Sequence, residues 1–186
     1  MKTLAVVMLL CGACGDNLKG PITYTDPSGG KLRLIQEPGT NSGSAIVLDL
    51  VVGDQPLTGY SVGFDLPIDD TKVTFKNFAP GTALSAGTGP IAARGLLPQT
   101  GPLAHQLVTA QTQKASGGGA IATDTTLQPG TVLYSFELDG VKGTNGVVFD
   151  GTATGFVLPS GGLRDRTGTT VVDAKDVAIG KLEVNL

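Results

Sequence analysis

Apolar residues recur along this chain with a period of two, the spacing of a strand that buries one face and shows the other to water. From Gly59 the alternation is clean: Tyr60, Val62, Phe64 and Leu66 share one parity, Gly59, Ser61, Gly63 and Asp65 the other. Ile46, Leu48, Leu50 and Val52 form a second row, although Val47 and Val51 make its other side apolar too. A third row is Val132, Tyr134, Phe136 and Leu138, against Leu133, Ser135 and Glu137. Val73 and Phe75 mark another strand, as do residues 147–149, 155–158, 169–172 and 177–184. Gln106 to Thr112 has strand composition, but its inward parity cannot be decided. Turn signals separate these runs at Pro38-Gly39, Pro80-Gly81, Pro129-Gly130, Asp139-Gly140 and Asn145-Gly146, the last being the strongest short hairpin cue. Gly81 to Pro102 lacks periodicity and reads as a long loop with room for one helical turn. Many short strands without helical repeats predict an all-β fold, an antiparallel β-sandwich or barrel.

Composition agrees. Of 186 residues 28 are glycine and 11 proline, and tryptophan is absent. Glycine is thus about 15% of the chain against an average near 7%, which suits strands joined by tight turns. The formal charge of −3 comes without a basic run, and argues against a nucleic-acid partner. Residues 31–186 are enough for one domain with a substantial core. Residues 14–30, with Pro21, Pro27 and Ser28-Gly29-Gly30, read as a flexible tether.

Residues 1–13 have the layout of a secretory signal: Lys2, an apolar run from Leu4 to Leu10, then Gly12 and Ala13. The run is far shorter than the roughly 20 residues that span a bilayer as a helix. Leu10-Cys11-Gly12-Ala13-Cys14 resembles a bacterial lipobox, departing from it at Cys11, where a branched aliphatic residue is usual. The resemblance implies cleavage before Cys14 and lipidation of its thiol; the alternative is an ordinary cleaved signal ending near a cysteine. Cys14 would be the one cysteine left after cleavage, so no disulfide within the mature chain is open to it. Two or three acyl chains hold a protein firmly on a membrane, one only weakly. With Gly15 rather than aspartate after Cys14, the lipoprotein resemblance implies the outer membrane or cell surface, the periplasmic side included.

The domain itself resembles a cohesin-like module. Ile46-Val47-Leu48-Asp49-Leu50-Val51-Val52 and Leu57 to Pro67 look like its first strands, with Lys72-Val73-Thr74-Phe75 after them. Pro129 to Leu138 is similar to its Gly-x-Leu-x-x-x-Phe strand, with Val132 in the Leu place, and Gly180 to Val184 to its closing strand. The usual Tyr-Asp-Pro turn departs here to Asp65-Leu66-Pro67. The resemblance spans most of residues 44–186. It implies a single jelly-roll-type antiparallel β-sandwich that binds rather than catalyses, with a dockerin-like protein or a polysaccharide as partner. A structural envelope lipoprotein without a soluble ligand is the third reading.

Chemistry-bearing motifs are few. Gly59-Tyr60-Ser61-Val62-Gly63 matches the G-x-S-x-G nucleophile elbow, but the alternation runs straight through Ser61 and no helix follows. His105 is the one histidine, too few for a histidine metal site. Asp65, Asp69 and Asp70, and likewise Asp165, Asp173 and Asp176, offer oxygen ligands without a recognised calcium spacing. Ser116-Gly117-Gly118-Gly119 lacks the lysine and helix of a phosphate cradle. No metal and no cofactor is expected. Sugar platforms need exposed flat rings; Tyr60, Phe64, Tyr134 and Phe136 fall on inward parities, leaving Tyr24 in the tether. With those rings inward, Ser61, Asp65, Leu133, Ser135 and Glu137 are expected to face outward together as a flat docking surface with Leu133 as its apolar anchor.

Overall fold

The computed structural model describes residues 21–40, 43–85, 91–114 and 123–186. The signal segment, Cys14 and the Ser116–Gly119 run lie outside the described residues. Within them the chain is all-β, without an α-helix, and strands are numbered in chain order. One five-stranded sheet contains β5 (Ser61–Pro67), β7 (Ile91–Leu96), β8 (Gln106–Gln113), β12 (Gly161–Arg164) and β13 (Thr170–Asp173), in the order β13-β12-β5-β8-β7. The other contains β2 (Leu32–Gln36), β3 (Ala45–Val52), β6 (Val73–Pro80), β10 (Val132–Gly140) and β14 (Val177–Ala178), in the order β14-β2-β3-β10-β6. All neighbours are antiparallel except β14 with β2. A three-stranded sheet of β1 (Ile22–Thr25), β15 (Lys181–Asn185) and β11 (Asn145–Asp150) and a pair of β4 (Leu57–Gly59) with β9 (Thr125–Leu127) complete the fold.

The two large sheets pack face to face around the residues that the period of two selects. Val62, Phe64 and Leu66 of β5, Ile46, Leu48 and Leu50 of β3, and Tyr134, Phe136 and Leu138 of β10 belong to one buried cluster. Each such side chain contributes about 1.5–3 kcal/mol on burial. The Phe64 and Tyr134 rings meet across the sandwich at 6.1 Å between centroids. Tyr134 keeps its hydroxyl satisfied against Thr109 Oγ1 (2.7 Å), and its burial pushes the phenol well above its ordinary range. Pro129 and Gly130 make the turn their order predicts: Thr131 N–H donates to the Gln128 carbonyl, and Gly130 takes φ 80°, which glycine alone adopts cheaply.

Several expectations are corrected. The tether reading fails from Pro21 onward, because β1 pairs with β15 and Ile22 is fully buried. Tyr24 is accordingly not free: its hydroxyl donates to the Leu34 carbonyl and accepts from Gly180 N–H. The supposed long loop holds a 3-10 turn (Ala83–Ser85) and also β7, an edge strand. Residues 155–158 form no strand. Asn145-Gly146 is no hairpin turn: β11 pairs with β15, not with β10, and the reversal falls at Val141–Thr144.

Leu133 is the consequential error, since it is fully buried while Val132 is exposed. The register of β10 on β3 slips between Val132 and Tyr134, a bulge that turns both Leu133 and Tyr134 inward. Gly81, whose N–H donates to the Leu133 carbonyl, lies against this bulge.

Candidate functional site: a groove on one sheet face

The cross-strand register lays out the outer face of the β5–β8 sheet row by row. One row reads Arg94, Ala110, Gly63, Gly162 from β7 to β12. Its neighbour reads Ala92, Thr112, Ser61, Arg164, and the row on the other side Leu96, Val108, Asp65. The central row therefore carries, between its first arginine and β13, nothing larger than a methyl group. Elsewhere in the sheet taller side chains stand beside it, and the result is a groove of about 490 Å³. Glycine is required at two floor positions. A Cβ at Gly63 would collide with the Thr109 carbonyl oxygen, and Gly162 sits at φ 112° with the Val172 carbonyl in the way of any side chain.

Three charged residues line the groove: Asp65, Arg94 and Arg164. Ser160 Oγ donates to Asp65 Oδ2 (2.6 Å). Arg164 Nη1 donates to the Gly168 carbonyl (3.0 Å) and to Thr170 Oγ1 (3.2 Å), which holds the guanidinium toward β13. Neither arginine pairs with a carboxylate among the described residues. No aromatic ring is exposed in the lining, since Phe64 turns into the core.

The floor is held from beneath by polar groups. The inward residues of β8 after Leu107 are Thr109, Gln111 and Gln113, all buried. Thr109 Oγ1 reaches the Phe64 carbonyl (3.1 Å). Gln111 Nε2 donates to the Gly81 carbonyl (2.8 Å) while its Oε1 accepts from Gly81 N–H (3.1 Å). Gln113 Nε2 donates to Thr125 Oγ1 (2.9 Å). Each bond satisfies a group whose burial unpaired costs about 1–3 kcal/mol.

The docking surface expected from sequence is divided by this architecture. Ser61 and Asp65 do lie together, in the groove. Ser135 and Glu137 lie on β10, on the outer face of the opposite sheet, and Leu133 is in the core. Inward-facing Phe64 and Tyr134 meet between the two pairs, so no single ligand face holds all five. On that opposite face Ser135 Oγ donates to Asp49 Oδ1 (2.6 Å). Asp49 is buried although it points outward, between Ile35 and Ser135. Burial raises its carboxyl above the usual range, with Ser135 opposing and Glu37 adding to the rise.

The remaining candidates are placed apart. Ser61 pairs with Thr112, and Gln106 pairs with Pro67 at the far end of the same ladder. Six residues at about 3.3 Å each put His105 roughly 20 Å from Ser61, beyond the reach of a base. His105 instead holds Asp70, Nδ1 to Oδ1 at 2.8 Å, from a left-handed backbone at φ 61°. Asp69 pairs with Lys72 Nζ (2.7 Å), which with the Thr71 bonds holds its carboxyl below the usual range. The three acids of that turn thus take separate partners. Asp165 accepts from Thr167 and Thr169 within its own loop, and Asp173 accepts from Lys175 N–H. Among the described residues no group of three or more His, Cys, Asp or Glu is placed to hold a metal.

Arg94, Ala110, Arg164 and Gly162 escaped the sequence reading. Arg94 sits in the segment read as loop, and Ala110 on the strand whose parity was undecidable. The Gly161-Gly162-Leu163-Arg164 run was the available signal, because paired glycines inside a strand mark close backbone approach.

No family model matches the chain, and neither a curated protein nor a solved structure does.

Proposed function

We propose that this chain is a non-catalytic binding module of the bacterial cell envelope, cohesin-like in its strand order. Lipid on Cys14 holds it to the membrane, and the groove on the β5–β8 sheet docks a partner protein. The observation that carries the reading is the groove itself: a floor of Gly63, Ala110 and Gly162 between mixed walls, Ser61, Thr112 and Arg164 on one side and Val108 and Asp65 on the other. A floor without side chains admits the backbone of a partner closely. The lining offers no ring on which a sugar would stack, which favours protein over carbohydrate. Catalysis at Ser61 lacks a base within reach, since His105 is at the other end of the ladder. No helix among the described residues is long and apolar enough to cross a membrane, so attachment in this reading rests on Cys14.

The test is in-cell photo-crosslinking with a photoreactive phenylalanine at Ala110 in the groove, and at exposed Val157 outside it as control. Protein adducts are expected from position 110 and not from 157. Equal yields from both, or none from 110, would remove the docking assignment. The same cells carrying Cys14→Ala should lose radioactive palmitate label and the membrane-bound fraction. Retained label would end the lipoprotein reading.

A further inference from the structure

The groove departs from the charge of the chain that carries it. The protein is acidic, with 16 Asp and Glu against 13 Lys and Arg. In the groove the balance inverts: Arg94 and Arg164 face one carboxylate, Asp65, which is held by Ser160. Arg94 has no carboxylate partner among the described residues, and Arg164 spends one Nη on Gly168 and Thr170. Both arginines are exposed at the rim of the groove, and a guanidinium draws a carboxylate there through a charge-assisted, two-pronged hydrogen bond.

Their spacing describes the ligand. Arg94 on β7 and Arg164 on β12 are separated by three strand steps, and their rows by two residues. With strands about 4.8 Å apart and a rise of about 3.3 Å per residue, their Cα atoms are roughly 16 Å apart. Side chains on one face of an extended peptide recur every two residues, so acids four apart lie about 13 Å from each other. Acids six apart lie about 20 Å from each other, so the two spacings bracket the separation of the arginine Cα atoms. Small floor residues admit the peptide backbone between the walls, while Ser61 and Thr112 stand beside it with hydroxyls for its polar groups.

Building on the docking reading above, we propose that the partner presents an extended acidic segment that crosses this groove and pairs its carboxylates with Arg94 and Arg164. Binding is then salt-sensitive, because the attraction is between partly exposed charges. It is also specific for the sign of the peptide charge, with arginine forks fixing its direction.

Fluorescence anisotropy of the full chain in detergent, with a labelled Glu-Thr repeat peptide of eight residues as probe, tests the proposal. A Lys-Thr peptide and an oligogalacturonate serve as comparison probes. The Glu-Thr peptide is expected to bind, the Lys-Thr peptide not. Arg94→Ala with Arg164→Ala should weaken binding tenfold or more at an unchanged melting temperature, and 0.5 M salt should weaken it comparably. Arg94→Lys should fall between, since lysine keeps the charge and loses the fork. Binding that ignores the double substitution or the salt overturns the proposal. Tighter, arginine-dependent binding of oligogalacturonate overturns the peptide and assigns the groove to an acidic polysaccharide. If the Glu-Thr peptide fails to bind while crosslinks from position 110 persist, the acidic segment is wrong and the docking reading survives. Loss of both removes the two together.

Discussion

The two large sheets share a core and differ on their outer faces. On the β5–β8 sheet the central outward row is Ala110, Gly63 and Gly162, and a groove opens above it. On the β3–β10 sheet the central outward residues are Val47, Asp49 and Val51, and their neighbours close over them: Asp49 and Val51 are buried although both point away from the core. The inner faces differ in the opposite sense. Ile46, Leu48, Leu50, Phe136 and Leu138 make the closed sheet apolar within, whereas β8 lines the open sheet with Thr109, Gln111 and Gln113. Side-chain size on one strand face therefore decides whether a sheet offers a groove or a sealed surface. The open sheet therefore adds buried hydrogen bonds to the apolar core that Val62, Phe64, Leu66, Leu107, Leu163 and Val172 supply.

The largest effect is expected where sequence and structure disagree about which side of β10 is inside. Leu133→Asp places an unpaired carboxylate in the core and should cost about 4 kcal/mol or more, enough to unfold much of the population in a urea titration. A variant that melts with the parent would return Leu133 to the surface and the division of the two faces with it.

Gln111→Leu probes the polar underside of the groove. It keeps the volume roughly constant but removes the two bonds that Gln111 makes to Gly81, whose N–H keeps the Leu133 carbonyl while its own carbonyl loses the amide, and should destabilise by about 1–3 kcal/mol. An equal or higher melting temperature would show that the buried amide contributes nothing to the open sheet.

The smallest effect belongs to the closed face. Asp49 has its carboxyl pushed up by burial, so its protonated form is the one the fold prefers. Its contribution is most favourable below the ordinary carboxylate pKa of about 3.9 and is lost as pH rises through the raised folded value. Asp49→Asn, which keeps an acceptor for Ser135, should therefore melt about 2 °C higher at pH 7. The gain should vanish toward pH 3.5. Asp69, Asp150 and Asp165, all held below the usual range by hydrogen bonds, run the other way and weaken the fold in acid. The difference between variant and parent isolates Asp49 from them; a gain independent of pH would show that its ionisation does not matter.

What the sequence determined by itself was local. Val62, Phe64 and Leu66 read as inward because alternation within seven residues already states which face must leave water. Pro129-Gly130 read as a turn because proline presets one dihedral and glycine permits the next. Everything that required a distant partner was left to tertiary structure. Polar Thr109, Gln111 and Gln113 are tolerable inside only once Tyr134, Gly81 and Thr125 arrive to bond them, so β8 carried no parity of its own. Leu133 turned inward through a bulge that exists only against β3. The groove is the sum of outward rows from β7, β8, β5 and β12, which are brought side by side by pairing between strands up to about one hundred residues apart. Hydrophobic periodicity is a property of a segment. A binding surface made of absent side chains is a property of four segments in register, and only the folded chain sets that register.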